Sequence, residues 1–256
     1  MRPFLFEIGP LKIPSYGFML ATAFLIDYYL LHKDLKRRGR NPELAGDLVF
    51  WAAIGGIVGS KIYYMIENHR AFAYDPLGMI FSGSGLVFLG GLAGGMLAVT
   101  LLLRKKNLPW LEFADIVAPL LILGYAVGRI GCFMVGDDYG VASSLPWAMT
   151  FPKGSPPTTI PVHPTQLYET LAGLGIFALL WNLRTKIQTV GILFSIYLIL
   201  AGTERFLIEF IRTTNKYLFG LSGAQLISII LFLTGSYFIF RFSSKHDQEP
   251  AVKAEA

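Results

Sequence analysis

The sequence predicts an all-α integral membrane protein whose helices cross a bilayer seven times. Hydrophobic residues make up 54% of the 256 residues and charged residues only 15%, and the mean hydropathy is +0.53. A soluble domain of this size needs more polar surface. The apolar residues also come in blocks that approach or exceed the roughly 20 residues needed to span the hydrocarbon. The net charge of +5 therefore indicates orientation in a membrane rather than nucleic-acid binding.

Seven apolar blocks define the predicted spans. They lie at about 13–31, 45–66, 85–103, 110–135, 165–183, 189–210 and 222–240. The second block follows Asn41-Pro42-Glu43, which combines a capping side chain, a first-turn proline and an acid. His163-Pro164 opens the fifth block in the same way. Small residues at helical spacing, such as Gly55 with Gly59 and Gly90 with Gly94, allow close helix contacts in lipid.

Basic residues predict how the spans are oriented. Those expected on one side are Lys33, Lys36, Arg37, Arg38, Arg40, Arg104, Lys105, Lys106, Arg184, Lys186, Arg241, Lys245 and Lys253. The other side carries fewer, spread over longer segments, so the positive-inside rule places the N-terminus outside and the C-terminus in the cytoplasm. We expect a single membrane domain over 1–241, with an external segment at about 136–164. The polar tail 242–256 is expected to be disordered.

Ionisable residues within the spans are the first candidates for function. Arg129 lies near the outer end of the fourth span, and Arg205, Glu209 and Arg212 lie along the outer half of the sixth. Spacings of four and three residues predict that the last three share one helical face. One acid cannot neutralise three arginines, and the surplus positive charge suits a phosphate. Alternatively, Arg205 pairs with Glu209 while Arg212 snorkels to the headgroups.

Two helix starts are expected on the outer side of the membrane, where the three arginines also lie. Ser82-Gly83-Ser84-Gly85 precedes the third span, and His163-Pro164-Thr165-Gln166 opens the fifth. Each offers backbone N–H groups and the positive end of a helix dipole to an anion, although each also serves as an ordinary cap. Together with the arginines, they predict binding of an anionic lipid headgroup from the outer leaflet.

Five further residues have both a functional and a structural interpretation. His163 is a general base or a capping residue, and Asp137 and Asp138 are carboxylates beside Arg129 or part of a solvated turn between Gly136 and Gly140. Tyr16 is an interface anchor or a headgroup contact. Cys132 cannot form an internal disulfide, has no metal-ligand cluster around it in the sequence, and is predicted to be a buried, inert thiol.

The same residues resemble motifs of the prolipoprotein diacylglyceryl transferase family over nearly the whole chain. The matching segments are Tyr16-Gly17, Gly85–Gly95 (GLVFLGGLAGG), Gly128–Gly140 (GRIGCFMVGDDYG), His163–Glu169 (HPTQLYE), Arg205–Arg212 (RFLIEFIR) and Gly223–Ser228 (GAQLIS). Each is short, but the six occur in order within a seven-span frame. The resemblance implies a transferase that moves the diacylglyceryl group of phosphatidylglycerol to the lipobox cysteine of secreted precursors.

The resemblance also implies roles for individual residues. Arg129 and Arg205 would hold the phosphate, with Glu209 orienting Arg205, and His163 or Asp137 would complete the catalytic set. The expected lipid-binding residues are Tyr16, Gly90, Gly91, Arg129, Gly140, Gln166, Tyr168, Glu169, Arg205 and Arg212. Neither a cofactor nor a metal is expected. The implied partners are phosphatidylglycerol, prolipoprotein signal peptides with their lipobox segments, and membrane lipid, in the cytoplasmic (inner) membrane of a bacterium.

The chain departs from the family pattern at Leu89, Cys132, Val135 and Asp137. The family usually has an aromatic residue or histidine at the position of Leu89. It usually has asparagine at the positions of Cys132 and Val135, and glutamate at that of Asp137. Leucine cannot accept a proton, so the base is His163 or Asp137, or the thiol ionises in a positive field. The departures leave two alternatives open: a divergent paralogue with another acceptor or lipid, and a lipid-binding or transport protein without catalysis.

Overall fold

The computed structural model describes residues 1–8, 11–82 and 87–246. The helices are α1 (Ser15–Arg37), α2 (Leu44–Glu67), α3 (His69–Tyr74), α4 (Pro76–Phe81), α5 (Phe88–Lys105), α6 (Trp110–Val135), α7 (Thr165–Leu183), α8 (Ile192–Ile208) and α9 (Gly223–His246), with 3-10 turns at Glu209–Ile211 and Leu218–Gly220. Two antiparallel hairpins pair β1 (Phe4–Ile8) with β2 (Leu11–Pro14), and β3 (Met149–Phe151) with β4 (Thr158–Val162). The chain is therefore mostly helical, and the prediction of an all-α fold missed two short hairpins.

A long helix overlaps each predicted span. Among the described residues, four helices, α2, α5, α6 and α9, are both long and apolar enough to cross a membrane, which identifies an integral membrane protein. Helix α8 has only 17 residues because the chain tightens into a 3-10 turn after Ile208. Seven crossings therefore remain a prediction.

Two helices run beyond their predicted ends. Helix α1 continues to Arg37 because Asp34 accepts hydrogen bonds from Arg37 at 2.8 Å and from Arg38 at 3.0 Å, three and four residues on. Helix α9 continues to His246, so the first part of the predicted tail 242–256 is helical. The rest of that tail lies outside the described residues.

Contacts divide the chain into two compact units, and the single membrane domain expected from the sequence stays a prediction. The first unit comprises residues 1–27 and 114–256. Its helices α6, α7 and α8 meet at an apolar cluster of Ile122, Leu180 and Leu193. Asp115 of α6 caps α8, since its carboxylate accepts from the backbone N–H of Gly191 at 2.6 Å and of Phe194 at 2.7 Å.

The second unit, residues 28–113, is built on the contact between α2 and α5. A Cβ atom on Gly55 would lie 2.5 Å from Ala98 Cβ, and one on Gly59 would lie 2.7 Å from Gly94 Cα. The two backbones therefore approach more closely than any larger residue allows, as predicted from the small-residue spacing. Lys61 of α2 donates to the carbonyl oxygen of Ser82 at 2.6 Å.

The segment 136–164 is tied to the helix ends around it. The backbone N–H of Gly140 donates to the carbonyl of His163 at 2.9 Å, and that of Val141 donates to Ile211 at 2.9 Å. The β3–β4 hairpin extends this region through a bridge between Ala142 and Val162. These bonds place the chain after α6 against the start of α7 and the end of α8, where most of the candidate residues lie.

Candidate active site

Three arginines from separate parts of the chain converge in the first unit. Arg129 lies near the end of α6 and Arg205 near the end of α8. Arg212 follows the 3-10 turn in extended backbone. The prediction that Arg205, Glu209 and Arg212 share one helical face is therefore wrong in its geometry, since the helix ends at Ile208. Convergence comes from the turn and from the backbone bridge between Gly140 and Arg212.

Glu169 lies at the centre of these arginines and is fully buried. Its Oε2 is 3.1 Å from Arg129 Nε and 3.7 Å from Arg212 Nη1, and its Oε1 accepts from Arg205 Nη1 at 3.0 Å. Tyr125 donates its hydroxyl to the same Oε1 at 2.7 Å. One carboxylate from the first turns of α7 thus contacts all three guanidinium groups.

Glu209 supports the arginines from the other side and is also fully buried. Its Oε2 lies 3.1 Å from Arg205 Nη2 and 3.8 Å from Arg212 Nε. Thr214 donates its hydroxyl to Oε1 of Glu209. The spacing of four residues predicted this contact between Glu209 and Arg205, and the resemblance implied that it orients Arg205.

Asp138 completes the network from the turn after α6. Its backbone φ is +61°, in the left-handed region that non-glycine residues other than Asn and Asp rarely adopt. Arg129 Nη1 donates to its Oδ2 and Arg212 Nη2 to its Oδ1, both at 2.7 Å. Although burial opposes ionisation, Arg212 and Arg129 hold the pKa of Asp138 below its usual value.

The ion pairs correct the predicted charge balance. Within the described residues, they join three guanidinium groups to three carboxylates, those of Asp138, Glu169 and Glu209. The surplus of positive charge expected from one acid is therefore absent from this network. Sequence reasoning could not count the acids correctly because Glu169 and Asp138 come from distant segments.

Asp137 contacts Gln166 and Cys132. Gln166 donates its side-chain amide to the backbone carbonyl of Asp137, while the Asp137 carboxyl interacts with the Cys132 thiol. Burial, together with the charge of Asp138, raises the pKa of Asp137. Cys132 is buried, as predicted. The carboxyl group of Asp137 and its backbone thus have separate partners.

The structure does place candidate metal ligands around Cys132, contrary to what the sequence suggested. One ligand atom from each of Cys132, Asp137 and Asp138 lies within 4.8 Å of the others. However, the Asp138 carboxylate already pairs with Arg129 and Arg212. Two fixed positive charges at this position disfavour a cation.

Gly140 and Thr165 position the turn that carries Asp138. A Cβ on Gly140 would lie 2.8 Å from Thr165 Cγ2 and 3.0 Å from His163 Cβ, so only glycine fits. Thr165 donates its hydroxyl to the carbonyl of Asp138 at 2.7 Å. The first residues of α7 therefore bind the 137–140 backbone through side chains, a role that the sequence interpreted as capping or anion binding.

His163 lies at the edge of a separate groove. Its Nδ1 is 3.4 Å from the hydroxyl of Tyr168, which accepts from Trp147 Nε1 at 2.7 Å. The groove has a volume of about 430 Å³ and is mostly apolar. Its lining includes Pro146, Trp147, Met149, Leu167, Tyr168 and Leu171. The structure thus groups His163 with Tyr168, and Glu169 with the arginines.

Tyr16 begins α1 and packs against α6. A Cβ on Gly131 would lie 3.2 Å from Tyr16 Cα, so the two helices meet closely here. The phenol lies within electrostatic range of Arg129 and Cys132, and its predicted contact with lipid stays a prediction.

Gly90 and Gly91 belong to the second unit, where Gly90 packs against Gly59 and Tyr63, and Gly91 against Ser60. Their predicted contact with lipid stays a prediction. The predicted helix start at Ser82-Gly83-Ser84-Gly85 lies mainly outside the described residues.

Two partners in the network, Tyr125 and Thr214, were missed from the sequence. Tyr125 precedes Arg129 by one helical turn, and its ring lies 5.0 Å from the guanidinium, so the i, i+4 spacing could have identified it. Asp138 was expected, together with Asp137, to be a carboxylate beside Arg129, and the structure pairs Asp138 with that arginine. Thr214 carries no recognisable signal.

The geometry suits a phosphate ester. Three guanidinium groups present N–H donors in one region, and buried carboxylates hold them in place before any ligand binds. Preorganised donors of this kind stabilise charge that develops on a leaving oxygen. The site also lies at the ends of apolar helices, where a lipid headgroup can reach it.

Comparisons with known proteins agree with this chemistry. The sequence profile of the prolipoprotein diacylglyceryl transferase family matches residues 3–241. Similar proteins include the phosphatidylglycerol–prolipoprotein diacylglyceryl transferases of Clostridium tetani (37% identity, covering 93% of this chain and 96% of that protein) and of Bordetella avium (35% identity, 97% of each). The enzyme of the same name from Nostoc sp. is 38% identical, and the match covers 89% of this chain and 84% of that enzyme. The chain belongs to the prolipoprotein diacylglyceryl transferase family.

Proposed function

We propose that this chain transfers the diacylglyceryl group of phosphatidylglycerol to the cysteine thiol of prolipoproteins. The observation that carries the proposal is similarity over nearly the whole chain to enzymes named for this reaction. The network of Arg129, Arg205 and Arg212 supports it physically, since the donor carries a phosphate that must be held and then released.

The reaction exchanges one bond for another. The thiol gives its proton to a base, the sulfur forms a bond to the glyceryl carbon, and the bond from that carbon to the phosphate oxygen breaks. The electron pair stays on glycerol phosphate, which leaves. Arg129 and Arg205 bind the phosphate oxygens and stabilise the charge that develops there. Glu209 keeps Arg205 oriented, and Glu169 holds all three guanidinium groups together.

The base is either His163 or Asp137. His163 lies beside the Tyr168 hydroxyl at 3.4 Å, and histidine is the side chain that most often acts as a general base. Burial raises the pKa of Asp137, which makes its carboxylate a better proton acceptor. Activity of His163→Asn and Asp137→Asn variants separates the two, because only loss of the base lowers the rate with substrate binding retained.

We further propose that the seven long helices all cross the inner membrane of a bacterium, with the N-terminus outside and the C-terminus in the cytoplasm. The distribution of basic residues supports this orientation. The arginine network would then face the outer side, where the lipobox segment of a secreted precursor arrives. Reporter fusions at residue 108 and at the C-terminus are both expected to be cytoplasmic.

A complementation experiment tests the proposed function. The gene is expressed in cells depleted of their own diacylglyceryl transferase, and lipidation of a precursor is followed by gel shift. Wild type is expected to restore the shift, and an Arg129→Ala variant present at equal level is not. No rescue by inserted wild type would favour a paralogue with another acceptor or lipid, which the changes at Cys132 and Asp137 permit.

A further inference from the structure

Asp138 lies where the donor phosphate is expected to bind. Its two carboxylate oxygens accept one hydrogen bond each from Arg129 and Arg212, at 2.7 Å. The two charged oxygens of a phosphodiester can accept from two guanidinium groups in the same arrangement. The carboxylate therefore uses the same N–H donors that the substrate needs.

Of the three acids in the network, Asp138 is the one that can leave. The side chains of Glu169 and Glu209 are fully buried, whereas that of Asp138 is 43% exposed. Glu169 belongs to helix α7, and Glu209 to the 3-10 turn that follows α8. Asp138 sits instead in a turn with a left-handed backbone, two residues after Gly136, whose φ is +81°. A change of its side-chain rotamer would expose the carboxylate to solvent without moving a helix.

The charge balance favours a one-for-one exchange. The ion pairs of the network join three guanidinium groups to three carboxylates, so the formal charges of these paired groups balance as long as Asp138 takes part. The phosphodiester of phosphatidylglycerol carries one negative charge. If it replaces the Asp138 carboxylate, the buried network stays neutral, which avoids the cost of an uncompensated buried charge.

We propose that Asp138 is a displaceable internal anion that exchanges with the donor phosphate between Arg129 and Arg212. This rests on the proposed function. Before the lipid binds, the carboxylate keeps the two guanidinium groups paired and in position. After the transfer, it competes with glycerol phosphate for the same donors and speeds release of the product. Asp138 is thus a positioning residue that weakens binding of both donor and product.

Kinetics of the full-length enzyme in vesicles of phosphatidylcholine with increasing phosphatidylglycerol test the exchange. Asp138→Asn is expected to lower the KM for phosphatidylglycerol about tenfold and to strengthen inhibition by added glycerol phosphate to a similar extent. Asp138→Gly, which adopts the left-handed backbone freely, is expected to do the same. A purely structural role for Asp138 predicts the opposite, a higher KM, and an unchanged or higher KM overturns the exchange.

Asp47→Asn is the matched control. Asp47 pairs with Lys106 at 2.7 Å, and its side chain is 46% exposed, so the variant also loses one partly exposed, ion-paired carboxylate. Neither its KM nor its inhibition by glycerol phosphate should change. An equal effect in this variant would mean that general surface charge, rather than exchange at the site, controls lipid binding, and it would contradict the proposal.

Direct binding separates the exchange from the proposed function. Calorimetry of wild type and Asp138→Asn with glycerol phosphate requires no turnover. Tighter binding by the variant supports the exchange even if neither protein transfers lipid, in which case the proposed function fails alone. Equal or weaker binding overturns the exchange whether or not the enzyme is active.

Discussion

Each of the two compact units is held together internally, and the contacts that do so differ between the units. In the second unit, α2 and α5 meet through Gly55, Gly59 and Gly94, whose missing side chains let the backbones touch. In the first unit, charged side chains meet across long stretches of chain: Arg205 and Glu169 are 36 residues apart, and Arg212 and Asp138 are 74 apart. The glycine contact excludes side chains, whereas the arginine network depends on several at once.

This difference follows from the solvent. Lipid offers no hydrophobic gain for bringing helices together, so helix pairs rely on close packing and on polar contacts. Close packing needs only a local pattern on each helix. A buried ionic network needs every charge matched, because one unpaired group costs more than the pair contributes. The first unit should therefore lose function through single polar substitutions, and the second should lose stability through added volume.

The largest effect is expected from removing an arginine. Arg129→Ala and Arg205→Ala should each lower lipid transfer by about 10²–10³-fold, the loss typical of one donor to a developing oxyanion, while the protein still inserts. Transfer of labelled diacylglyceryl to a precursor measures this. Arg40→Ala, which breaks the pair with Glu112 in the second unit, serves as control. Full activity in either site variant would remove the proposed phosphate-binding role.

Loss of Glu169 should destabilise the first unit. Glu169→Gln leaves buried guanidinium groups without their shared carboxylate, and we expect the free energy of unfolding to fall by about 3–5 kcal/mol. Thermal unfolding in detergent measures this. Glu112→Gln breaks a more exposed pair and should cost about 1 kcal/mol or less. Equal losses in the two variants would show that the network does not depend on its buried centre.

Added side-chain volume should destabilise the second unit but not the first. Gly59→Ala inserts a methyl group against Gly94 and Gly90, and overpacking of this kind costs about 1–3 kcal/mol. Gly175→Ala in α7 is the matched control, because its Cβ meets nothing within 4 Å. There the gain in helix propensity should stabilise by about 0.5–1 kcal/mol. Stabilisation by both substitutions would contradict the tight α2–α5 contact.

The smallest effect is expected at Cys132. Cys132→Ser should leave lipid transfer nearly unchanged, because the buried serine hydroxyl can accept from Arg129 Nη1 in place of the thiol sulfur, which lies 3.8 Å from that nitrogen. The activity assay used for the arginine variants provides the comparison. An inactive Cys132→Ser enzyme would show that the thiol takes part in the site.

Sequence reasoning succeeded where a feature depends on neighbours along one helix. The cap predicted at Asn41 is an exception, because α2 begins at Leu44 with Glu43 as its N-cap, and Asn41 accepts from the N–H of Glu43 at 3.0 Å in the turn before the helix. Glu209 was expected to orient Arg205 from four residues away, and the pair forms. The shared face of Arg205 and Arg212 failed because a helix end inside the motif is invisible to a periodic pattern.

The sequence by itself determined the membrane class, the positions of the long helices and the family, because hydrophobicity and motifs are properties of consecutive residues. Only the tertiary structure decided which charges meet. It brought Glu169 into contact with all three arginines, paired Asp138 with Arg129 and Arg212, and replaced the expected surplus of positive charge with a balanced set of ion pairs. Charge balance in a buried site depends on distances between remote segments, and those distances arise only when the helices pack.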